Sequence, residues 1–359
     1  MLTLDEKKIR KGKPIGLPYQ GSKKKVSKKI VEIIKQNFGT DKPIYDIFGG
    51  GGAITAECML NGLEVHYNDL DKDITDMFQR VISQDREWIK TLIVSRDEFL
   101  KIKNKDIKTV DDNLKLLVNS FGNNKRNYLY SAEWADMKYN LAIEIINKHD
   151  VFSGYKQTDT YKNVIRKYSE HKQLECLQQL VCLQQLQRLQ RLQQLVCLQQ
   201  LERLQQIEQL ESTNLSYEAF SDIEDAIFYL DPPYEETGQD GYKDKKQKRT
   251  IDSAIYKGIR EKLLKLPSGT IIEHDGLVFS LGLHGNNKNR MYYKGVSSSF
   301  DSQKFYDWAF EMSKKNIVLI SSYEISDDRF KCVYEFEKAR STMQSGSAGK
   351  RTEKLFMAV

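Results

Sequence analysis

The alternation of apolar and polar residues predicts an α/β architecture at the start of the chain. Residues 26–38 place apolar side chains at helical spacing. The next stretch, PIYDIFGGGGAITAECMLNG (43–62), predicts a strand, a glycine turn and a helix, and LEVHYNDLD (63–71) predicts a second strand. A strand–helix–strand unit of this kind indicates the beginning of a doubly wound sheet.

The rest of the chain continues the α/β pattern with longer helical stretches. Residues 74–150 are mostly helical in pattern and are interrupted by NSFGNNKRNYLY (119–130). AIFYL (226–230) predicts a short buried strand, and KNIVLISS (315–322) predicts another strand directly after a helix that includes QKFYDWAFEMSKK (303–315). These elements extend the predicted sheet.

A repetitive tract from Leu174 to Leu210 places an aliphatic residue at every third position. A period of three does not fit 3.6 residues per turn, so each leucine steps back by about 60° and the apolar stripe winds round the helix. A long helix that buries different faces in turn is one interpretation, and a solenoid with one leucine per short turn is another. The most ordinary interpretation is a repeat-expanded spacer or interaction arm that allows self-association.

Residues 242–296 are interpreted as an insertion, because the sheet pattern resumes only after them. The segment opens with the basic run KDKKQKR (243–249) and continues as the helical pattern DSAIYKGIREKLLKL (252–266). Two apolar stretches on either side of the polar turn HGNNKNR (284–290) then predict a β-hairpin. The basic run suggests that the insertion contributes to binding a polyanion.

Composition narrows the class of protein. The formal net charge is +6, which favours a polyanionic partner. The longest apolar stretches are far shorter than a membrane span, and the first residues contain no signal-peptide core, so we expect a soluble cytoplasmic protein without membrane contact. Five cysteines without any CxxC pair predict neither a zinc site nor a disulfide framework, and we expect no bound metal. The cysteines are Cys58, Cys176, Cys182, Cys197 and Cys332.

The glycine run Gly49–Gly52 follows the first strand and opens a helix, where the backbone can approach a ligand closely. The acidic Asp69 ends the second strand, the position that takes ribose hydroxyls in nucleoside-binding sheets. Asp46, at the base of the loop, would repel a phosphate but would pair with an ammonium group. S-adenosylmethionine has both a ribose and an α-ammonium, and it is the predicted cofactor. The alternative is an ordinary Rossmann-like core with capping aspartates.

The motif Asp231-Pro232-Pro233-Tyr234 directly follows the predicted buried strand 226–230. Neither proline has an N–H, and the second holds the first in an extended conformation, so the motif projects rigidly from the strand end. A carboxylate from Asp231 and the Pro232 carbonyl can hold the two N–H groups of a nucleobase amine and free its lone pair. Tyr234 offers an aromatic face for the unstacked base. The motif predicts methyl transfer to an exocyclic amine.

In these motifs the sequence resembles the Dam-like N6-adenine DNA methyltransferases, especially those of bacteriophages and prophages. Ile47 and Tyr19 stand where many members have proline and tryptophan, and residues 242–296 have no assigned counterpart. The resemblance covers roughly residues 14–150, 212–242 and 298–356. The matching stretches, in the family's alpha-type order, are LPYQGSKKKVSKKI, DIFGGGGAIT, HYNDLD, SFGNNKRNYLYS, DPPY and KRTEKLF.

The resemblance implies an α/β Rossmann-like S-adenosylmethionine-dependent methyltransferase sheet with a helical recognition region and inserted segments. It implies methyl transfer to adenine N6 in double-stranded DNA with base flipping, by a restriction–modification or an orphan enzyme. The implied catalytic residues are Asp231, Pro232 and Tyr234. The implied cofactor-binding residues are Tyr19, Lys23, Asp46, Phe48, Gly49, Gly51, Asp69 and Asp231. Lys23 would bind the cofactor carboxylate or a DNA phosphate, unless it is simply a solvated charge.

Two basic, polar stretches are candidates for DNA contact, although a helix-connecting turn and a solvated loop are ordinary alternatives. The candidate DNA-binding residues are Asn123, Asn124, Lys125, Arg126, Lys245, Lys246 and Arg249. The expected domain order is a catalytic part with the cofactor loop (1–100), a helical recognition region (101–170), the Leu/Gln-rich repeat (171–211), the catalytic strand with DPPY (212–241), the inserted helix and hairpin (242–297), and the C-terminal catalytic part (298–359).

Other functions remain open from the sequence alone. The same acceptor geometry serves any planar amine, so methylation of RNA or of a protein glutamine is an alternative. A non-catalytic DNA-binding or phage assembly protein is a further one, with the leucine tract as its oligomerisation arm. The intact Asp69, Asp231 and Tyr234 argue against this last alternative.

Overall fold

The computed structural model describes residues 1–19, 21–175, 191–233, 253–266, 270–274, 277–281, 291–295, 300–336 and 352–359. Two compact units divide the chain. One comprises Met1–Pro232 with Trp308–Val359, and the other is Pro233–Asp307. The predicted domain boundaries stay predictions. Of the predicted site residues, Tyr234, Lys245, Lys246 and Arg249 lie outside the described residues.

The first unit contains a seven-stranded mixed sheet, which confirms the predicted α/β fold. Its strands are β1 (Ile44–Asp46), β2 (Val65–Asn68), β3 (Ser212–Thr213), β4 (Ile227–Leu230), β8 (Ile317–Ser322), β9 (Phe330–Glu335) and β10 (Lys354–Ala358). They lie in the order β3-β2-β1-β4-β8-β10-β9. The first five of these are parallel, and β10 runs antiparallel to both β8 and β9. The strands predicted around 44, 65, 227 and 317 are all present.

Helices cover both faces of this sheet. The described helices of the first unit are α1 (Ser27–Phe38), α2 (Ala53–Leu60), α3 (Lys72–Ile82), α4 (Arg86–Lys90), α5 (Arg96–Lys103), α6 (Val110–Val118), α7 (Ala132–His149), α8 (Asp159–Glu175) and α9 (Gln193–Leu204). The second unit contains α10 (Ser253–Lys265), and α11 (Ser302–Ser313) spans the boundary between the units. The run from α3 to α7 confirms the helical pattern predicted for residues 74–150.

The central strand β4 is buried at every position, as expected for a parallel strand covered on both faces. Ile227 and Tyr229 pack into a cluster with the buried side of α1. Phe228 points to the opposite face, where its ring stacks on Tyr45 at 5.0 Å between centroids. Successive side chains of this short strand therefore pack on opposite faces of the sheet, and both faces are part of the core.

The described end of the Leu/Gln-rich tract is part of this core. Leu195, Leu198, Leu201 and Leu204 of α9 are fully buried. The helix packs among α3, α4 and α6, so it is covered on several sides and a winding apolar stripe suits it. For this stretch the interpretation as a spacer is wrong. A single helix through the tract is also wrong, because residues 191–192 are not helical; residues 176–190 lie outside the described residues.

The second unit combines a helix with a small antiparallel sheet of three strands, one strand more than the hairpin predicted for the insertion. Strands β5 (Ile271–His274), β6 (Leu277–Leu281) and β7 (Met291–Gly295) pair in the order β5-β6-β7. Ile259 and Leu263, one turn apart on α10, are buried, and so is Phe279 on β6. The turn predicted between β6 and β7 lies outside the described residues.

Candidate active site

Three carboxylates gather at one edge of the large sheet. Asp46 ends β1, Asp69 follows β2 and Asp231 follows β4. These strands are parallel neighbours in the order β2-β1-β4, so their carboxyl ends meet at the same edge. The chain winds in one direction from β1 to β2, whereas β4 lies on the other side of β1. Ligands of open α/β sheets bind in the crevice at such a switch point.

The glycine loop between β1 and α2 packs closely against the aromatic rings of Tyr67 and Phe78. Gly50 has φ +49° and Gly52 has φ +68°, in the left-handed region that glycine tolerates best. A Cβ at Gly49 would lie 2.5 Å from the Tyr67 ring, and one at Gly52 would lie 2.1 Å from the Phe78 ring. Side chains at these two positions would therefore displace the loop.

Asp69 ties the glycine loop to the end of β2. Its Oδ2 accepts a hydrogen bond from the Gly50 N–H at 2.8 Å, and its Oδ1 accepts one from the Asp71 N–H at 2.8 Å. Both oxygens of the Asp69 carboxylate therefore bind backbone N–H groups and fix the loop to the end of the strand.

Asp46 lies beneath the loop and is 1% exposed. Its Oδ2 accepts hydrogen bonds from Thr55 N–H at 3.1 Å and Thr55 Oγ1 at 2.6 Å, so the side chain anchors the first turn of α2. Its Oδ1 is buried and has no hydrogen-bond partner within the described ranges. Burial raises the pKa of Asp46 to about 7. A cation bound beside this oxygen would stabilise the ionised form.

Leu17 and Tyr19, in the N-terminal stretch LPYQGSKKKVSKKI (the N-terminal motif), pack against the glycine loop. The Leu17 N–H donates to the Gly51 carbonyl at 2.8 Å. The Tyr19 ring lies 3.7 Å from the position that a Cβ would take at Gly50. Burial, reinforced by the nearby Asp69 carboxylate, raises the pKa of Tyr19 to about 12, so the phenol is neutral. The motif thus presents an uncharged aromatic side chain to the loop.

Lys23 extends from the same motif to the catalytic strand. Its Nζ donates to Asp231 Oδ1 at 2.7 Å and lies 3.8 Å from Glu353 Oε1. Its side chain is only 12% exposed, so the interpretation as a solvated charge is wrong. Burial lowers the pKa of Lys23, but the Asp231 and Glu353 carboxylates outweigh it and leave the pKa above its ordinary value. Lys23 is therefore a charged partner of Asp231.

Glu353 is a site residue that sequence analysis missed. It directly precedes β10, which pairs with β8, and the Ser321 hydroxyl on β8 donates to Glu353 Oε1 at 2.7 Å. The stretch KRTEKLF, which resembles the end of family members, pointed to this segment but not to a role for the glutamate.

The segment after β3 was also missed. The Asn214 side chain donates to the Asp69 carbonyl at 2.9 Å, and the Leu215 N–H donates to Asn68 Oδ1 at 2.9 Å. These two hydrogen bonds hold Leu215 next to the end of β2. Leu70, the residue after Asp69, also lies at this end of the strand. Leu70 and Leu215 are 68% and 47% exposed, an unusual position for two apolar side chains.

Phe48 is half-buried at the start of the loop, and its ring centroid lies 6.2 Å from that of Tyr217. Pro232, directly after Asp231, is buried. Nine of the predicted cofactor-binding and catalytic residues are described, and eight of them meet at this edge of the sheet. The ninth, Pro232, directly follows Asp231 along the chain. The eight are Tyr19, Lys23, Asp46, Phe48, Gly49, Gly51, Asp69 and Asp231.

The predicted DNA-contact loop lies between α6 and α7 and closes as a hairpin. The Phe121 N–H donates to the Asn127 carbonyl at 2.9 Å, and the Leu129 N–H donates to the Asn119 carbonyl at 2.9 Å. Helix α9 supports it, since Gln194 Nε2 donates to Asn119 Oδ1 at 2.5 Å.

Within this hairpin the candidate residues differ in orientation. The Asn123 side chain donates to the Leu117 carbonyl at 2.9 Å and lies 3.3 Å from Cys197 Sγ, so it stabilises the loop. Asn124 Oδ1 accepts from the Arg126 N–H at 2.9 Å. Arg126 is exposed and Lys125 half-exposed. The two basic residues are better placed than Asn123 for an external ligand.

No helix in the described ranges is long and apolar enough to cross a membrane. Among the same residues, no group of three or more His, Cys, Asp or Glu side chains is arranged to hold a metal ion.

Comparison with known proteins identifies the family. A search of curated protein sequences finds no match to this chain. The family model for the D12 class N6 adenine-specific DNA methyltransferases matches residues 19–260, which include Tyr19, Lys23, the glycine loop, Asp69 and the DPPY motif. The match covers more than half of the chain. The protein thus belongs to the D12 class of N6 adenine-specific DNA methyltransferases, which transfer a methyl group to adenine in DNA.

Proposed function

We propose that the enzyme binds S-adenosylmethionine along the β2-β1-β4 edge and methylates a flipped-out adenine at Asp231. Methyltransferases of this family generally use this cofactor. The observation that carries the proposal is the position of Asp231, which ends a fully buried strand one strand away from the glycine loop. Asp46 and Asp231 therefore flank the switch point of the sheet.

The residues at this edge fit the cofactor. The backbone of Gly49 and Gly50 is partly exposed and carries no side chains, so a ligand can approach it closely. Asp69 offers carboxylate lone pairs to the ribose hydroxyls. The unpaired Oδ1 of Asp46 is a buried acceptor that suits an ammonium group. When bound, S-adenosylmethionine supplies an electrophilic methyl group.

Leu70 and Leu215 provide an apolar environment for the adenine ring of the cofactor, next to the carboxylate that would bind its ribose. Each directly follows a polar residue of the site, Asp69 or Asn214. Burial of a ring against these two side chains would remove exposed apolar surface from water, which stabilises binding by roughly 25 cal/mol per Å².

At the target base, Asp231 accepts a hydrogen bond from the N6 amine, and the Pro232 carbonyl accepts the second. Bound S-adenosylmethionine would supply the methyl group: the N6 lone pair would form the new N–C bond as the methyl–sulfur bond broke, with the electron pair of that bond left on sulfur. The extra proton of N6 passes to the Asp231 carboxylate and then to water. Tyr234 supplies the stacking face that holds the flipped base.

The direct test of this proposal is an assay of labelled methyl transfer to duplex DNA, RNA and protein in parallel. We expect N6-methyladenine in duplex DNA as the main product, because the acceptors at Asp231 hold a planar exocyclic amine beside the cofactor. Exclusive labelling of RNA, or of protein glutamine, would refute the proposed substrate. A lack of transfer to all three would refute the proposed activity.

Substitution of Asp69 tests the cofactor site. Asp69→Ala should weaken S-adenosylmethionine binding by about 1.5–3 kcal/mol, the scale of a lost charge-assisted hydrogen bond. Asp69→Asn is the comparison variant, because it retains an acceptor oxygen for the Gly50 N–H but loses the charge and the second acceptor oxygen, which binds the Asp71 N–H. Calorimetric titration of both variants gives the affinities, and an unchanged affinity in Asp69→Ala would show that the ribose is held elsewhere.

For DNA, we propose that the hairpin at 120–128 and the basic run at 243–249 contact the phosphate backbone. The exposed Arg126 and its neighbour Lys125 support this for the hairpin. Lys245, Lys246 and Arg249 stay candidates from their sequence alone.

A further inference from the structure

We propose that Glu353 is a positioning residue for the methyl transfer: it gives the Lys23–Asp231–Glu353 cluster a net negative charge, which acts through Asp231 to stabilise positive charge at the target nitrogen. This inference rests on the proposed function. It concerns a residue beyond position 260, where the match to the family model ends.

The three charged groups form one compact cluster. Lys23 Nζ lies 2.7 Å from Asp231 Oδ1 and 3.8 Å from Glu353 Oε1. Their side chains are 12%, 14% and 14% exposed, so all three are largely shielded from water. At such shielded positions, charges several ångströms apart interact more strongly than they do at the surface.

The fold fixes Glu353 in this position. β10 pairs with β8 in the sheet, and β8 pairs with β4, which carries Asp231. The Ser321 hydroxyl donates to Glu353 Oε1 at 2.7 Å, and the Glu353 carbonyl accepts from the Phe336 N–H at 3.0 Å. Both its side chain and its backbone are therefore held.

The charge balance explains why a third group matters. The N6 nitrogen becomes positively charged when it forms the N–C bond and remains so until a proton passes to Asp231. An isolated Lys23–Asp231 pair is neutral overall, and its ammonium group competes with N6 for the Asp231 lone pairs. With Glu353 ionised, the cluster has a net charge of −1, and the ammonium charge is shared between two carboxylates. The cluster then attracts the charge that develops at N6.

A purely structural role makes a different prediction. If Glu353 only holds Lys23 in place, an isosteric amide would still accept a hydrogen bond and would leave the response to ligand charge unaltered. Glu353→Gln changes the charge of the side chain and conserves its shape, so this single variant separates the two roles.

The first measurement is steady-state methylation of duplex DNA. Glu353→Gln should lower kcat by about 10- to 30-fold, the effect of one unit charge at several ångströms in a partly shielded site, with little change in KM for DNA. Glu324→Gln is the matched control, because Glu324 pairs with Lys354 at 2.5 Å and is 70% exposed. It should leave kcat unchanged. A wild-type kcat in Glu353→Gln would overturn the proposal.

The second measurement needs no turnover. Sinefungin has a protonated amine where the cofactor has its methylsulfonium, whereas S-adenosylhomocysteine has a neutral sulfur there. Calorimetric titration should show that Glu353→Gln weakens sinefungin binding by about 5- to 20-fold and barely alters S-adenosylhomocysteine binding. Equal losses for both ligands would indicate a structural role and would overturn the proposal.

A second variant, Ser321→Ala, tests the same charge cluster without changing Glu353 itself. If Glu353→Gln lowers the midpoint of thermal unfolding substantially, Ser321→Ala, which removes the hydrogen bond that holds the Glu353 carboxylate in place, is used instead. A smaller loss in the same direction is expected, because the carboxylate keeps its charge but is no longer fixed near Lys23, and an unchanged ratio of the two affinities would overturn the proposal. A wild-type enzyme that binds neither ligand would refute the proposed function instead, so the two failures are distinguishable.

Discussion

Replacement of Asp231 by alanine is expected to reduce methyl transfer by about 10³-fold, the effect of removing one well-placed group that stabilises a transition state. Asp231 lies at the end of β4, where its carboxylate is held at 2.7 Å by Lys23. It acts on the target amine, so cofactor affinity should change far less than the rate. Single-turnover methylation and calorimetric titration of S-adenosylmethionine measure the two effects separately.

The alanine variant also leaves the shielded Lys23 with a more distant partner, which could disturb the fold. Asp231→Asn controls for this, because it retains shape and one acceptor oxygen beside the Lys23 ammonium. We expect it to keep more of the rate than alanine does and to unfold at nearly the wild-type temperature. An alanine variant that retained a tenth or more of the wild-type rate would remove Asp231 from the catalytic role.

The parts of the site that the sequence predicted are those encoded by contiguous residues. A glycine run between a strand and a helix, an aspartate at a strand end and the DPPY motif each combine a local structure with a local chemistry. Their meeting at one edge follows from parallel pairing of adjacent strands, a general rule of α/β sheets. The positions of Gly49, Asp69 and Asp231 were therefore predictable.

The partners that close the site were not predictable in this way. Glu353 reaches Lys23 only because β10 lies two strands away from β4, and Asn214 reaches Asp69 only because β3 extends the sheet beside β2. Such contacts depend on the order of strands far apart in sequence. For Lys23 the run of three lysines left a solvated charge open as an alternative to ligand binding, and only the fold shows the side chain paired with Asp231.

The position of the leucine tract in the fold was hard to predict from sequence for a different reason. Its period of three matches neither the 3.6 residues per turn of an α-helix nor the alternation of a strand, so the pattern alone did not distinguish a spacer from a core helix. Burial of α9 among several helices resolves this for residues 193–204, since a short helix covered on many sides has no need of a single apolar face. The repeat composition was therefore a poor guide to its place in the fold.

Leu198→Ala is accordingly expected to lower the free energy of unfolding by about 2–5 kcal/mol, the range for removing a fully buried leucine side chain. Leu198 is 0% exposed and packs in the cluster that includes Phe78 and Leu117. Gln206→Ala, at an exposed position just beyond α9, is the matched control and should have an effect within about 0.5 kcal/mol. Urea unfolding followed by circular dichroism measures both variants.

The same variant tests how far the tract supports the site. Next to Leu198, Cys197 Sγ lies 3.3 Å from Asn123 Nδ2 in the candidate DNA loop, and Gln200 Oε1 accepts from Lys24 Nζ at 2.7 Å beside Lys23. A loosened α9 should therefore weaken DNA binding and slow methylation even at temperatures where the protein stays folded, whereas Gln206→Ala should alter neither. If the tract were an external arm, Leu198→Ala would be as mild as the control in unfolding and in methylation alike. That outcome would contradict a core position for α9.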